Sequence, residues 1–174
     1  WVAVSAAAEF PGPMYTGTLT GAGGIAVLRF DPESRPFLSA TRIGAPDDYP
    51  GVIAIDADGN AYVAGTTSRA DFPVTAGIEA PPPPPSDLRW DRDENAFVVK
   101  LLPDGSGAAW SAVIGGTGWE RFHGLDVAAD GDPILIGMTN SVDFPLQSPI
   151  DGTLGGALDL FLCRVEAVGS GLLP

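Results

Sequence analysis

The sequence is poor in positive charge. Nine Lys and Arg stand against 22 Asp and Glu, for a net charge of −13, and Lys100 is the only lysine. No basic stripe that could track a phosphate backbone can be assembled, so the expected partners include no nucleic acid and no anionic membrane surface. The one cysteine, Cys163, cannot close an intrachain disulfide. In the strand-like run "LFLCRVE" it reads as a small buried hydrophobe rather than a reactive thiol. A single histidine, His123, leaves no His/Cys metal cluster. No apolar run approaches the roughly 18 residues of a membrane-spanning helix. The chain starts at Trp1 without Met and shows no signal peptide, which fits a mature or trimmed protein. Nucleophile elbows and Gly-rich phosphate loops are missing too. No cofactor is implied, and the expectation is a protein that is not an enzyme.

What the chain does have is glycine (23), proline (17) and 45% hydrophobic residues in 174 positions. Gly and Pro at this density break long helices and suit short strands joined by tight turns. The expected class is all-β.

Self-similarity is the main signal. "IAVLRFDPESRPFLSATRIG" (25–44) aligns with "FVVKLLPDGSGAAWSAVIGG" (97–116), and a third copy starts at "LFLCRVEAVGSGLLP" (160–174). Arg29, Lys100 and Arg164 fall in one slot, near the end of an apolar strand where a long stem packs and its head stays wet. "GVIAIDADGNAYVAGTT" (51–67) matches "GLDVAADGDPILIGMT" (124–139), each reading as two strands around a tight Asp-Gly turn. Pro133 opens the second strand of its pair, where a missing N–H is tolerated. Each pair ends in a tract closed by Asp71-Phe72-Pro73, by Asp143-Phe144-Pro145 or, at the start, by Glu9-Phe10-Pro11. As a structural corner, the acid (Glu9, Asp71 or Asp143) accepts backbone N–H groups that fix the bend. The ring of Phe10, Phe72 or Phe144 drops into the apolar layer between neighbouring units, and Pro stops the strand. The competing reading is a catalytic carboxylate.

About four strands and no helix per repeat suggest β-propeller blades. The chain also resembles a known family: "NAFVVKLLPDGSGAAWSAVIGG", "GVIAIDADGNAYVAGTTS" and "DFPVT" are similar to the seven-bladed β-propeller repeat called SBBP. That resemblance implies bacterial proteins of the extracellular space, periplasm or cell envelope, in which the repeat is a scaffold, and it transfers no catalytic residue. It spans nearly the whole chain, 1–174. Residues 1–50 read as a partial blade lacking its innermost strand, 51–123 as a complete blade with a Pro-rich insertion at 80–94, and 124–174 as a partial blade whose outer strand barely begins at Leu172. Inner strands are expected at 51–56 and 124–129. About three blades cannot close a ring, so further blades of the same chain or other protein subunits are the expected partners, in an oligomer or complex.

Three constellations could carry function. Asp56, Asp58 and Asn60 have the 1, 3, 5 spacing of a calcium loop, but Ala61 stands where Gly is required and Thr67 where the acidic ligand belongs, so a hairpin turn is the stronger reading. "GTGWERFHG" (116–124) joins an outer strand to the next inner strand. Its Trp119, Glu120, Arg121, Phe122 and His123 either form a binding surface or cover the blade junction. In the equivalent loop Asp47, Asp48 and Tyr49 replace them, a variation that suits surface recognition. The insertion ends in Trp90 among alternating charges and is either a docking arm or a solvated loop. The primary expectation is a non-enzymatic interaction module. The alternative is a carbohydrate- or small-ligand-binding propeller using the 116–124 loop. An enzyme would need acids on the inner strands, where only Asp56 and Asp126 qualify.

Overall fold

The computed structural model describes residues 1–6, 24–30, 37–46, 48–75 and 94–173. Glu9, Phe10 and Trp90 lie outside the described residues, as does Asp47. Three antiparallel meanders make up the described part. The first contains β1 (Val2–Ala6), β2 (Gly24–Phe30) and β3 (Phe37–Ile43) in that order. The second runs β4 (Tyr49–Ile55), β5 (Ala61–Thr67), β6 (Asn95–Leu101) and β7 (Ala108–Ile114). The third runs β8 (Glu120–Val127), β9 (Pro133–Thr139), β10 (Asp159–Val165) and the two-residue β11 (Leu172–Leu173).

Four hairpins are built alike. In the turn at 56–60, the Asp56 N–H donates to the Asn60 carbonyl and the Gly59 N–H returns to the Asp56 carbonyl, both at 3.1 Å. Leu102 with Gly105 and Gly107, Ala128 with Gly131 and Asp132, and Glu166 with Gly169 and Gly171 repeat the pattern. The fourth residue adopts positive φ each time (84°, 74°, 88° and 71°), a conformation that glycine reaches at least cost.

Strand register shows which positions correspond. Tyr62 pairs with Lys100 and Lys100 with Trp110, as Ile134 pairs with Arg164 and Arg164 with Leu173. In the first sheet Arg29 pairs with Ser39. β4 and β8 carry the same bulge, at Gly51 and at His123. Both inner strands begin earlier than the sequence suggests, at Tyr49 and Glu120, because the bulge breaks the two-residue alternation.

The sheets stack face to face. Ile25, Val27 and Ile43 of the first meet Val63, Phe97, Val99 and Val113 of the second. Tyr62, Ala64, Val98, Trp110 and Ile114, on the opposite face of the second, meet Leu135, Phe161, Cys163 and Val165 of the third. Inner strands adjoin: β4 touches β8, and β1 touches β4 as β5 touches β8. By that correspondence β1 is the second strand of its unit, and among the described residues the first sheet has no strand in the place of β4. Phe72 is buried in the layer between the first two sheets and stacks on Phe97 at 4.8 Å. Phe144 is half-buried and stacks on Phe161 at 4.7 Å. Phe97 and Phe161 in turn lie over glycines, Gly65 and Gly137, where an added Cβ would meet a backbone oxygen at 2.0 and 2.3 Å.

Candidate functional site at the loop end

The meander topology divides the molecule into two ends. One carries the four tight hairpins. The other carries, among the described residues, the connections between sheets around 44–48 and 115–119 and the described parts of the wider connections within sheets, 68–75 and 140–158.

The hairpin end is held by its own charges. Asp56 accepts the Asp58 and Asn60 N–H groups at 3.1 and 2.8 Å and the Asn60 amide at 2.7 Å, with the Tyr62 hydroxyl oxygen at 3.3 Å and Lys100 Nζ at 3.6 Å beside it. Burial alone would raise the Asp56 carboxyl, but the Asn60 bonds and Lys100 outweigh it and hold the group low. The carboxylate is thus a turn cap. Among the described residues, no group of three His, Cys, Asp or Glu could hold a metal ion. Cations in the shared slot serve alike: Arg29 lies over Trp1 at 5.7 Å, Lys100 over Tyr62 at 5.0 Å, and Arg164 pairs with Asp130 and Asp132. Tyr62 donates to the Gly131 carbonyl (2.8 Å) and Trp110 Nε1 to that of Ala167 (2.7 Å), fastening the second sheet to the turns of the third.

The loop end corrects several expectations. Glu120 is not a surface ligand. It is fully buried at the start of β8, where it accepts the Thr139 and Ser141 hydroxyls at 2.7 and 2.5 Å and the Gly116 N–H at 3.3 Å. Burial drives its carboxyl up, against those hydrogen bonds. Asp48 occupies the same place at the head of β4, also buried, accepting the Ala45 N–H at 2.7 Å. Burial raises it too, against the Thr67 side chain and the Ala45 N–H. The Ile-Gly closing each outer strand makes room for this acid: a Cβ on Gly44 or Gly115 would lie 2.2 Å from the carboxylate oxygen. Variation between Asp48 and Glu120 is therefore a change of length within one structural device. The sequence signal was present in Gly44 and Gly115, followed four and five residues later by an acid.

Phe122 is also not a free anchor. It is half-buried against Phe161, edge to face at 6.4 Å. Asp71, whose exposed carboxylate holds Arg69 at 2.6 Å, accepts no backbone N–H among the described residues. Asp143 does accept a backbone N–H, that of Thr117 at 2.8 Å, with the Thr117 hydroxyl at 3.0 Å, and is held low by them. Pro46, which takes the place of Thr117 in the earlier loop, has no N–H to offer Asp71. The tract after Phe72 runs along the outer strand, where the Thr75 N–H donates to the Ser111 carbonyl at 3.0 Å.

Trp119, Arg121 and His123 remain at the surface. Trp119 is half-buried, with the Arg121 guanidinium over its ring at 5.2 Å, and Arg121 and His123 are exposed. Tyr49, the counterpart of Arg121 on β4, is also exposed. The end of the insertion is anchored beside them, because Glu120 donates its N–H to the Glu94 carbonyl.

Stacked four-stranded meanders with adjoining inner strands define a segment of a β-propeller, each sheet a blade. Residues 40–73, from the outer strand of the first blade through the Asp71-Phe72-Pro73 corner, match the family model described as SBBP, beta-propeller repeat. No curated protein matches the chain.

Proposed function

We propose that this chain is a non-enzymatic propeller module, a scaffold subunit whose loop end meets protein partners. The observation that carries the reading is the unequal use of the two ends. The hairpin end pairs Asp56 with Lys100 and Arg164 with Asp132 and is built of short, regular turns. The loop end gathers the irregular connections and presents Trp119, Arg121, His123 and Tyr49. Rigid scaffolds with variable loops at one end commonly bind through them. The carboxyls driven up by burial, Asp48 and Glu120, are engaged by hydroxyls and backbone rather than poised in a cleft. Placement outside the cytoplasm, in the bacterial envelope or beyond, rests on the resemblance to the SBBP repeat. The carbohydrate-binding alternative has the Trp119 ring in its favour, but Arg121 covers that ring.

A photo-crosslinking residue placed at Tyr49 on the loop end and, separately, at Val168 on the hairpin end tests the reading in the producing cell. Protein adducts from position 49 and none from 168 are expected. Adducts from 168 alone would overturn it.

A further inference from the structure

We infer that Arg121, which lies over the Trp119 ring and is flanked by His123, anchors a carboxylate from an acidic segment of a protein partner; the inference rests on the module reading above. The internal repeat separates architecture from blade-specific chemistry. At the heads of β4 and β8 the inward positions keep their roles, Asp48 with Glu120 as buried acids and Pro50 with Phe122 half-buried. The exposed positions change completely, Tyr49 to Arg121 and Gly51 to His123. Since the blade forms equally well with Tyr and Gly there, its architecture does not call for Arg and His.

Arg121 stands out electrostatically. The chain carries 22 acids, yet among the described residues no carboxylate pairs with it. Glu120 is turned into the core with Thr139 and Ser141. Asp71 is held by Arg69 and Asp143 by Thr117. Asp126 is exposed but lies five residues further along β8. The Arg121 guanidinium carbon lies over the Trp119 ring, 5.2 Å from its centroid, and the guanidinium fork, which no described carboxylate occupies, suits bidentate contact with a carboxylate. The same placement occupies the aromatic surface a sugar ring would need, so the geometry favours a peptide acid over a glycan. His123 is the bulged residue, unpaired in the ladder, and bulges re-aim side chains at functional surfaces. Tyr49 lies on the adjoining inner strand, which packs closely enough that Gly51 abuts Phe122. Trp, Tyr and Arg are the residue types that dominate protein–protein binding energy.

The test uses the whole 174-residue chain and a fluorescein-labelled peptide of alternating Glu and Gly, read by anisotropy at low salt. Arg121→Gln should weaken binding by about tenfold or more, and Arg121→Lys should recover only part of it, because a point charge lacks the fork. His123→Gly, which installs the residue of the equivalent bulge, should weaken binding a few-fold. Arg69→Gln, a cation of the same end that already has its acid, should leave affinity unchanged. These positions are at the surface, so circular dichroism of all variants should match the parent. Equal affinity of the Arg121→Gln variant, or no binding by the parent chain, would overturn the inference. So would Arg121-dependent binding of oligogalacturonate without binding of the peptide, which would indicate a glycan site. Loss of the peptide result with position-49 adducts intact would leave the module reading standing and remove only this anchor.

Discussion

Glu120→Ala tests whether the buried acid is architecture. The side chain is fully buried and accepts two hydroxyls at 2.7 and 2.5 Å and one N–H at 3.3 Å. Hydrogen bonds to a charged group contribute about 1.5–3 kcal/mol each, and an orphaned buried donor costs about 1–3 kcal/mol. Two terms soften the loss. Both hydroxyls can rotate to new acceptors, and removing the acid also removes its desolvation cost, which is the largest influence on its carboxyl. A net loss of about 2–4 kcal/mol remains, or roughly 5–15 °C in Tm for a chain of this size. Urea unfolding followed by tryptophan fluorescence at neutral pH measures it. Glu120→Asp should lose less than Ala yet not match the parent, because Gly115 and Glu120 are one residue further apart than Gly44 and Asp48 and need the longer arm. The pH dependence provides an independent check. The folded carboxyl lies above its ordinary value of 4.5, so the folded state holds the proton more tightly. Its contribution is complete below 4.5 and declines as pH rises through the folded value. Glu120→Gln does not titrate, so its stability relative to the parent should rise over that window. A loss below about 0.5 kcal/mol for Glu120→Ala, or the opposite pH trend, would refute the assignment.

Phe72→Ala should destabilise by about 3–5 kcal/mol, since the ring is buried and stacked on Phe97, while half-buried Phe144→Ala should cost measurably less in the same denaturant series. Millimolar calcium should leave Tm unchanged, because both Asp56 oxygens are engaged within the turn; a rise of several degrees abolished by Asp58→Ala would contradict the cap assignment. Cys163, buried with its thiol pushed up to about 12, should react with a thiol reagent only as fast as the protein unfolds, and rapid labelling of the native chain would place it elsewhere.

The strands and hairpins were legible because alternation is a local signal and Asp-Gly marks three of the four turns, at 58–59, 104–105 and 130–131. The heads of the inner strands were not, because the bulges at Gly51 and His123 shift the alternation and make "DDYPG" and "WERFHG" look like loop. The inward role of Glu120 was hidden for a different reason. A charged residue reads as surface, and the groups that satisfy it, Thr139 and Ser141, lie a strand away. The two corners look identical as Asp-Phe-Pro, yet their acids diverge because Arg69 is available to Asp71 whereas Ser141 is occupied by Glu120. In contrast, the two corner rings behave alike, because stacking on Phe97 or Phe161 depends on positions that recur in register.

The outer face of the third blade gives the last prediction. Register places Ile136, Leu160 and Leu162 where the second blade has Ala64, Ala96 and Val98. The latter three are completely buried by the third blade, whereas Ile136, Leu160 and Leu162 are 41%, 70% and 71% exposed. Covering a large aliphatic side chain contributes about 1.5–3 kcal/mol, so these three on each of two apposed copies together offer roughly 9–18 kcal/mol gross. Association itself costs about 4–15 kcal/mol, which places self-association of the isolated chain in a weak range, visible near 100 μM rather than at nanomolar concentration. Sedimentation velocity over that range should show reversible association, and Leu160→Lys with Leu162→Lys should abolish it without lowering the cooperativity of unfolding. A chain that stays monomeric at the highest concentration would show that this face is tolerated in water, and the correspondence drawn between the second and third blades would then fail at the surface it predicts to be covered.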